Sequence, residues 1–132
     1  MDFIIGGCCQ GKRDYVKKQY GFDENDFLCA ADLKNNDMQG KRCLTDFHLF
    51  VKNLMEKERN IEKNVLELLQ KNDIRVIISN EIGYGIVPID AFEREYREAV
   101  GRQSCILAQK AGRVVRVVSG IGIVIKDDNP ST

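Results

Sequence analysis

The chain has 132 residues, with 20 basic and 20 acidic side chains, one histidine and no tryptophan. Zero net charge withholds the basic excess that a nucleic acid or an anionic membrane surface selects, and no run reaches the ~18 apolar residues of a membrane span. The length fits one domain over residues 1–132 with room for a genuine core. Five cysteines (8, 9, 29, 43 and 105) include no C-x-x-C pair, and the N-terminus lacks a basic region followed by an apolar one. That usage predicts reduced thiols and a cytoplasmic protein.

Taken in chain order, the elements alternate between strand and helix. Phe3 to Gly6 is the first strand, and a helix follows from Arg13 to near Gly21. Asp26 to Ala31 reads as a second strand, residues 32–41 as a polar loop, and Cys43-Leu44-Thr45 as a short third strand. From Asp46, the residues Phe47, Phe50, Val51, Leu54 and Met55 recur at helical spacing, and Ile61, Val65, Leu66, Leu68 and Leu69 make a second such face. Arg75 to Ser79 is a continuous β-branched run of the kind buried on both faces of a parallel sheet. A loop from Asn80 to Pro88 leads into a long helix from Ile89 to about Ala111, and Val114–Ser119 and Gly122–Lys126 close the chain as two strands. This order predicts an α/β fold resembling the P-loop NTPases: a mostly parallel sheet flanked by helices, with a closing strand pair at the C-terminus. Its ligand crevice is expected at the carboxyl ends of the strands.

The loop behind the first strand carries the clearest chemistry. Gly6-Gly7-Cys8-Cys9-Gln10-Gly11-Lys12-Arg13 has the G-x-x-x-x-G-K spacing of a phosphate cradle. Glycines let backbone N–H groups turn toward an anion, the helix N-terminus adds partial positive charge, and Lys12 is placed for the β- and γ-phosphates of ATP or GTP. The hydroxyl that usually follows the lysine to ligate Mg²⁺ is replaced by Arg13, which can contact phosphate but not a metal. Asp46, closing the third strand, is either the Mg²⁺ carboxylate or the N-cap of the next helix. Asn80 and Glu81 follow the clearest strand, and their position favours Glu81 as a carboxylate held toward the crevice over a solvated loop acid. The single histidine, His48, lies close enough to Asp46 to sit near that crevice, although its setting, Asp46-Phe47-His48-Leu49-Phe50, suits a packed helix residue.

The stretch Ser79-Asn80-Glu81-Ile82-Gly83-Tyr84-Gly85-Ile86-Val87-Pro88, with Arg94-x-x-Arg97-Glu98 and Gly101 behind it, resembles the adenosylcobinamide kinase/adenosylcobinamide-phosphate guanylyltransferase family of cobalamin biosynthesis. The similarity is dense over residues 76–126, returns at residues 3–12, and is loose over 20–75. The resemblance implies phosphorylation of a corrinoid alcohol by a nucleoside triphosphate, then guanylyl transfer from GTP through a covalent histidine. It also implies a substrate role for Asn80, Glu81, Gly83, Gly85 and Pro88, and a homo-oligomer. Three features depart from the family pattern: Arg13 for the P-loop serine, Ser104-Cys105 for an Asn-Gln pair, and a chain about a quarter shorter. The missing stretch falls after the second strand, where the family carries its nucleophilic histidine; His48 lies in a register that is apolar there. The expectation is therefore a P-loop kinase using Lys12, Asp46 and Glu81, with Mg²⁺ as cofactor. The alternatives are a bifunctional enzyme, with His48 as the candidate guanylyl nucleophile, or a non-catalytic nucleotide- or corrinoid-binding relative.

Overall fold

The structure is a computed structural model, and it describes residues 1–82 and 90–129. Six strands form one sheet. In chain order they are β1 (Asp2–Gly6), β2 (Phe27–Cys29), β3 (Cys43–Thr45), β4 (Val76–Asn80), β5 (Arg113–Val118) and β6 (Ile121–Asp127). The helices are α1 (Lys12–Tyr20), α2 (Phe47–Glu56), α3 (Ile61–Lys71) and α4 (Ala91–Lys110). The sheet order is β2-β3-β4-β1-β5-β6. Every neighbouring pair is parallel except β5 and β6, which run antiparallel. The expected mostly parallel α/β architecture with a closing strand pair is the one observed.

The two-residue period of the strands sorts their side chains to opposite faces. Phe3, Leu44, Ile77 and Val114 pack with residues of α2, α3 and α4. Their neighbours Ile4, Cys43, Val76, Ile78 and Val115 pack with Val16 of α1. β1 and β4 are therefore apolar on both faces, as central strands of a covered parallel sheet must be.

Local chemistry sets the boundaries. Gly21 takes φ 69° to end α1, a conformation glycine adopts without a Cβ clash. Asn60 and Asp90 cap α3 and α4 by accepting backbone N–H groups from Lys63 and Phe92. Lys126 Nζ donates to the carbonyls of Ala108, Gln109 and Ala111 at the end of α4. β2 is shorter than the expected Asp26–Ala31, because one 3₁₀ turn precedes it and another follows it. The first of these turns is closed by Asp23, whose side chain accepts the Asn25 N–H, and by Asp26, whose side chain accepts the Asp23 N–H. β4 is shifted one residue from the expected Arg75–Ser79, and the expected helix start at Ile89 lies outside the described residues.

Candidate functional site

Because β3, β4 and β1 are parallel neighbours, their carboxyl ends open on the same edge of the sheet. Three segments follow those ends: Asp46 after β3, Glu81 after β4, and the loop Gly7–Gly11 after β1. A cleft of about 300 Å³ lies there. Cys8, Cys9, Gln10, Gly11, Lys12 and Arg13 line it from one side, with Asp46 and Asn80 from the other. The loop residues, one carboxylate and the β4 terminus that the sequence singled out thus share one cavity.

The loop has a definite shape. Cys9 and Gly11 both have left-handed backbones, φ 62° and 84°, and α1 begins immediately after Gly11. Lys12 is buried, and its ammonium donates to the Gly7 carbonyl at 2.7 Å, folding the side chain back over its own loop. Burial pushes its pKa below the usual lysine value, the ordinary consequence of desolvating an ammonium. Gly6 is fixed by sterics: a Cβ there would lie 2.6 Å from the Val117 carbonyl oxygen of β5.

Arg13 lines the cleft but is engaged elsewhere. Its guanidinium pairs with Glu24, which also takes Lys17, and lies 4.5 Å from the centre of the Phe27 ring. Hydrogen bonds from Lys17 and Arg13 hold the Glu24 carboxyl below its usual range.

Asp46 occupies the residue before α2, yet its side chain makes no capping bond. Its backbone is left-handed, φ 57°. Its Oδ2 instead accepts from Cys29 Sγ at 3.2 Å and from Thr45 Oγ1 at 3.4 Å. Burial, then this contact with Asp46, raises the Cys29 thiol pKa. Among the described residues no group of three His, Cys, Asp or Glu side chains could hold a metal. Asp46, which lines the cleft together with Asp14, fits a Mg²⁺ ion carried mostly by phosphate oxygens and water.

Glu81 is tied down. Its backbone N–H donates to the Gly6 carbonyl at 2.9 Å, and its carboxylate takes a two-pronged bond from Arg116 of β5 at 2.8 and 3.1 Å. Such fork-to-carboxylate geometry fixes orientation as well as charge. Gly83, Gly85 and Pro88 lie outside the described residues.

His48 is 7% exposed. Its Nδ1 accepts the backbone N–H of Asn80 at 3.2 Å, pinning α2 to the end of β4. Burial lowers its pKa, Lys12 and Lys52 add to the effect, and Asp46 opposes it. An Nδ1 that accepts an N–H leaves the ring proton on Nε2.

One contact has no counterpart in the sequence reading. The turn Ser119-Gly120 between β5 and β6 sits on the loop: Ser119 N–H donates to Gln10 Oε1 at 2.6 Å, and Gly120 N–H donates to the Gln10 carbonyl at 2.8 Å. Gly120 Cα also lies 3.3 Å from where a Gly11 Cβ would stand. A Ser-Gly turn is legible as a hairpin signal, but its docking partner more than a hundred residues earlier is not.

A profile of the family described as cobinamide kinase / cobinamide phosphate guanyltransferase matches residues 10–125. The bifunctional adenosylcobalamin biosynthesis protein CobU of Escherichia coli (strain K12) is 30% identical over 136 aligned residues, covering 89% of this chain and 74% of the relative. The protein of the same name from Salmonella typhimurium (strain LT2) is 35% identical over 117 residues, covering 76% of this chain and 65% of the relative.

Proposed function

The chain belongs to the cobinamide kinase / cobinamide phosphate guanyltransferase family, and we propose that it acts as a kinase, moving the γ-phosphoryl group of ATP or GTP to a cobinamide-type alcohol. The observation that carries this reading is the convergence of Lys12, Asp46 and Asn80 on one cleft at the N-terminus of α1. Phosphoryl transfer asks the protein for positioning and charge neutralisation rather than covalent chemistry. The loop amides and α1 hold the triphosphate, and the Lys12 ammonium exchanges the Gly7 carbonyl for phosphate oxygens. Asp46 would hold Mg²⁺, which when bound neutralises charge on the transferring group. Glu81, oriented by Arg116, positions the acceptor end, with Asn80 beside it and Gly83, Gly85 and Pro88 completing the substrate loop.

The relatives are named bifunctional, so guanylyl transfer is the second reading. Covalent transfer through His48 would need an imidazole free to meet an α-phosphate; burial and the Asn80 bond argue against that role. The reading also places the protein in the cytoplasm and takes it as a homo-oligomer; the apolar side chains on β6, where Ile121 and Ile125 are 68% and 57% exposed, support the second of these.

Incubation with cobinamide and γ-labelled ATP or GTP tests the kinase, and α-labelled GTP tests the guanylyl step in the same preparation. Label on cobinamide from the γ-position, with none on the chain from the α-position, is the expected result. An acid-labile chain label that vanishes in His48→Ala would restore the bifunctional reading. Nucleotide binding with neither transfer would leave a binding protein.

A further inference from the structure

The phosphate cradle contains two adjacent cysteines that the proposed reaction does not use. Cys8 and Cys9 are both exposed at the tip of the loop, and their sulfurs lie 3.4 Å apart. They line the cleft with Lys12, and both thiols are open to a small dissolved reagent. The other three thiols are placed differently: Cys43 is buried, Cys29 is half-buried on Asp46, and Cys105 is exposed on α4.

We propose that Cys8 and Cys9 form a reversible dithiol–disulfide site that switches off the phosphate cradle. The co-reactant is a low-molecular-weight disulfide of the glutathione class. Cys9 Sγ, as thiolate, attacks one sulfur of the reagent; the reagent's S–S bond breaks, and the departing thiolate takes up the proton that Cys9 released. Cys8 then loses its proton and attacks Cys9 Sγ in the mixed disulfide, expelling the second thiol. Two protein thiols have lost two electrons, and one small disulfide has become two thiols. The two sulfurs are adjacent and both exposed, so the balance is the same whichever of them attacks first.

The geometry explains the consequence. Closing 3.4 Å to a bond of about 2.05 Å draws two side chains on consecutive residues to one side. Consecutive Cα atoms stand ~3.8 Å apart across a trans peptide, below the ~4.4–6.8 Å span of ordinary disulfides. Closing the bond across so short a span strains the peptide joining Cys8 to Cys9, and its N–H belongs to the proposed cradle. Cys9 holds a left-handed backbone in the dithiol form, so the strain falls on a residue whose backbone sets the shape of the loop.

This inference rests on the cradle reading, and one experiment separates the two. Full-length protein is treated with glutathione disulfide, the product is mapped by peptide mass, and ATP and GTP are titrated before oxidation, after it, and after dithiothreitol. The expected result is a Cys8–Cys9 disulfide, a fall in affinity of at least about tenfold, and full recovery on reduction. In Cys8→Ser and Cys9→Ser the readout is the ratio of affinities before and after oxidant within each variant, and that ratio should return to one. A mapped Cys8–Cys9 bond that leaves affinity unchanged would overturn the proposal. So would a stable glutathione adduct that never resolves, a bond to Cys29 or Cys105, or the same affinity loss in the serine variants. If reduced protein binds no nucleotide, the cradle reading itself fails; absence of the mapped disulfide would separately remove the exchange site.

Discussion

Replacing Lys12 by Met isolates the ammonium. The Lys12 stem packs on Gly6, its Cδ and Cγ lying 3.3 and 3.4 Å from where a Gly6 Cβ would stand, and Met preserves most of that contact while removing charge and donor. Two effects on stability oppose each other. The Gly7 carbonyl loses a 2.7 Å charge-assisted bond, worth on the order of 1.5–3 kcal/mol. The fold in turn no longer buries an ammonium whose lowered pKa records its discomfort. The melting temperature should therefore move little. In the proposed nucleotide complex the ammonium exchanges the neutral Gly7 carbonyl for charged phosphate oxygens, a net gain that the variant lacks. Losing that contact should weaken ATP or GTP by about 1.5–3 kcal/mol, roughly 10- to 150-fold in Kd. Isothermal titration of Lys12→Met beside wild type, with circular dichroism to establish folding, measures it. A folded variant with wild-type affinity would refute the phosphate-cradle argument at its centre.

His48→Asn keeps an acceptor near the position of Nδ1 but cannot titrate. Because the folded pKa of His48 lies below its unfolded value of about 6.5, its contribution is present above that pH and is lost as pH falls through the folded pKa. Wild type should thus lose stability below about pH 6.5 faster than the variant in parallel denaturant melts; superimposable acid limbs would count against the Asn80 bond. Gly6→Ala puts a Cβ 2.6 Å from the Val117 carbonyl, forcing β1 and β5 apart at a cost of about 1–3 kcal/mol. Thermal melts should show a clear drop, and an unchanged midpoint would contradict the close strand approach.

The architecture was readable because apolar residues obey two clean periods. Val76, Ile77 and Ile78 are continuously apolar where β4 is covered on both faces, and Phe47, Phe50, Val51 and Leu54 step helically where α2 packs on the sheet. The strand–loop–helix order around Gly6–Lys12 was readable because the G-x-x-x-x-G-K spacing is local. What escaped were pairings that no local pattern encodes: Arg116 on Glu81, Cys29 on Asp46, and the Ser119-Gly120 turn on Gln10. Each joins segments that meet only after the sheet is assembled. The cap-or-metal ambiguity at Asp46 was likewise beyond sequence, since both roles use the same residue before the same helix. Its left-handed backbone, with a side chain turned to Cys29 and Thr45 rather than to the helix N–H groups, could only be seen in three dimensions.

The docking of the last hairpin on the first loop also has a consequence in time. β1 lies between β4 and β5, so the strand made first waits for partners made last. At a synthesis rate of about 5–20 residues per second, the interval between the emergence of Gln10 and of Ser119 is on the order of 5–20 s. During it, the loop Gly7–Gly11 lacks the contacts from Ser119 and Gly120 that brace it. A nascent chain stopped short of the hairpin would carry every residue of the G-x-x-x-x-G-K motif without its final support. The braced shape of the loop would then arrive only once the hairpin has emerged, as a property of the assembled sheet rather than of the motif.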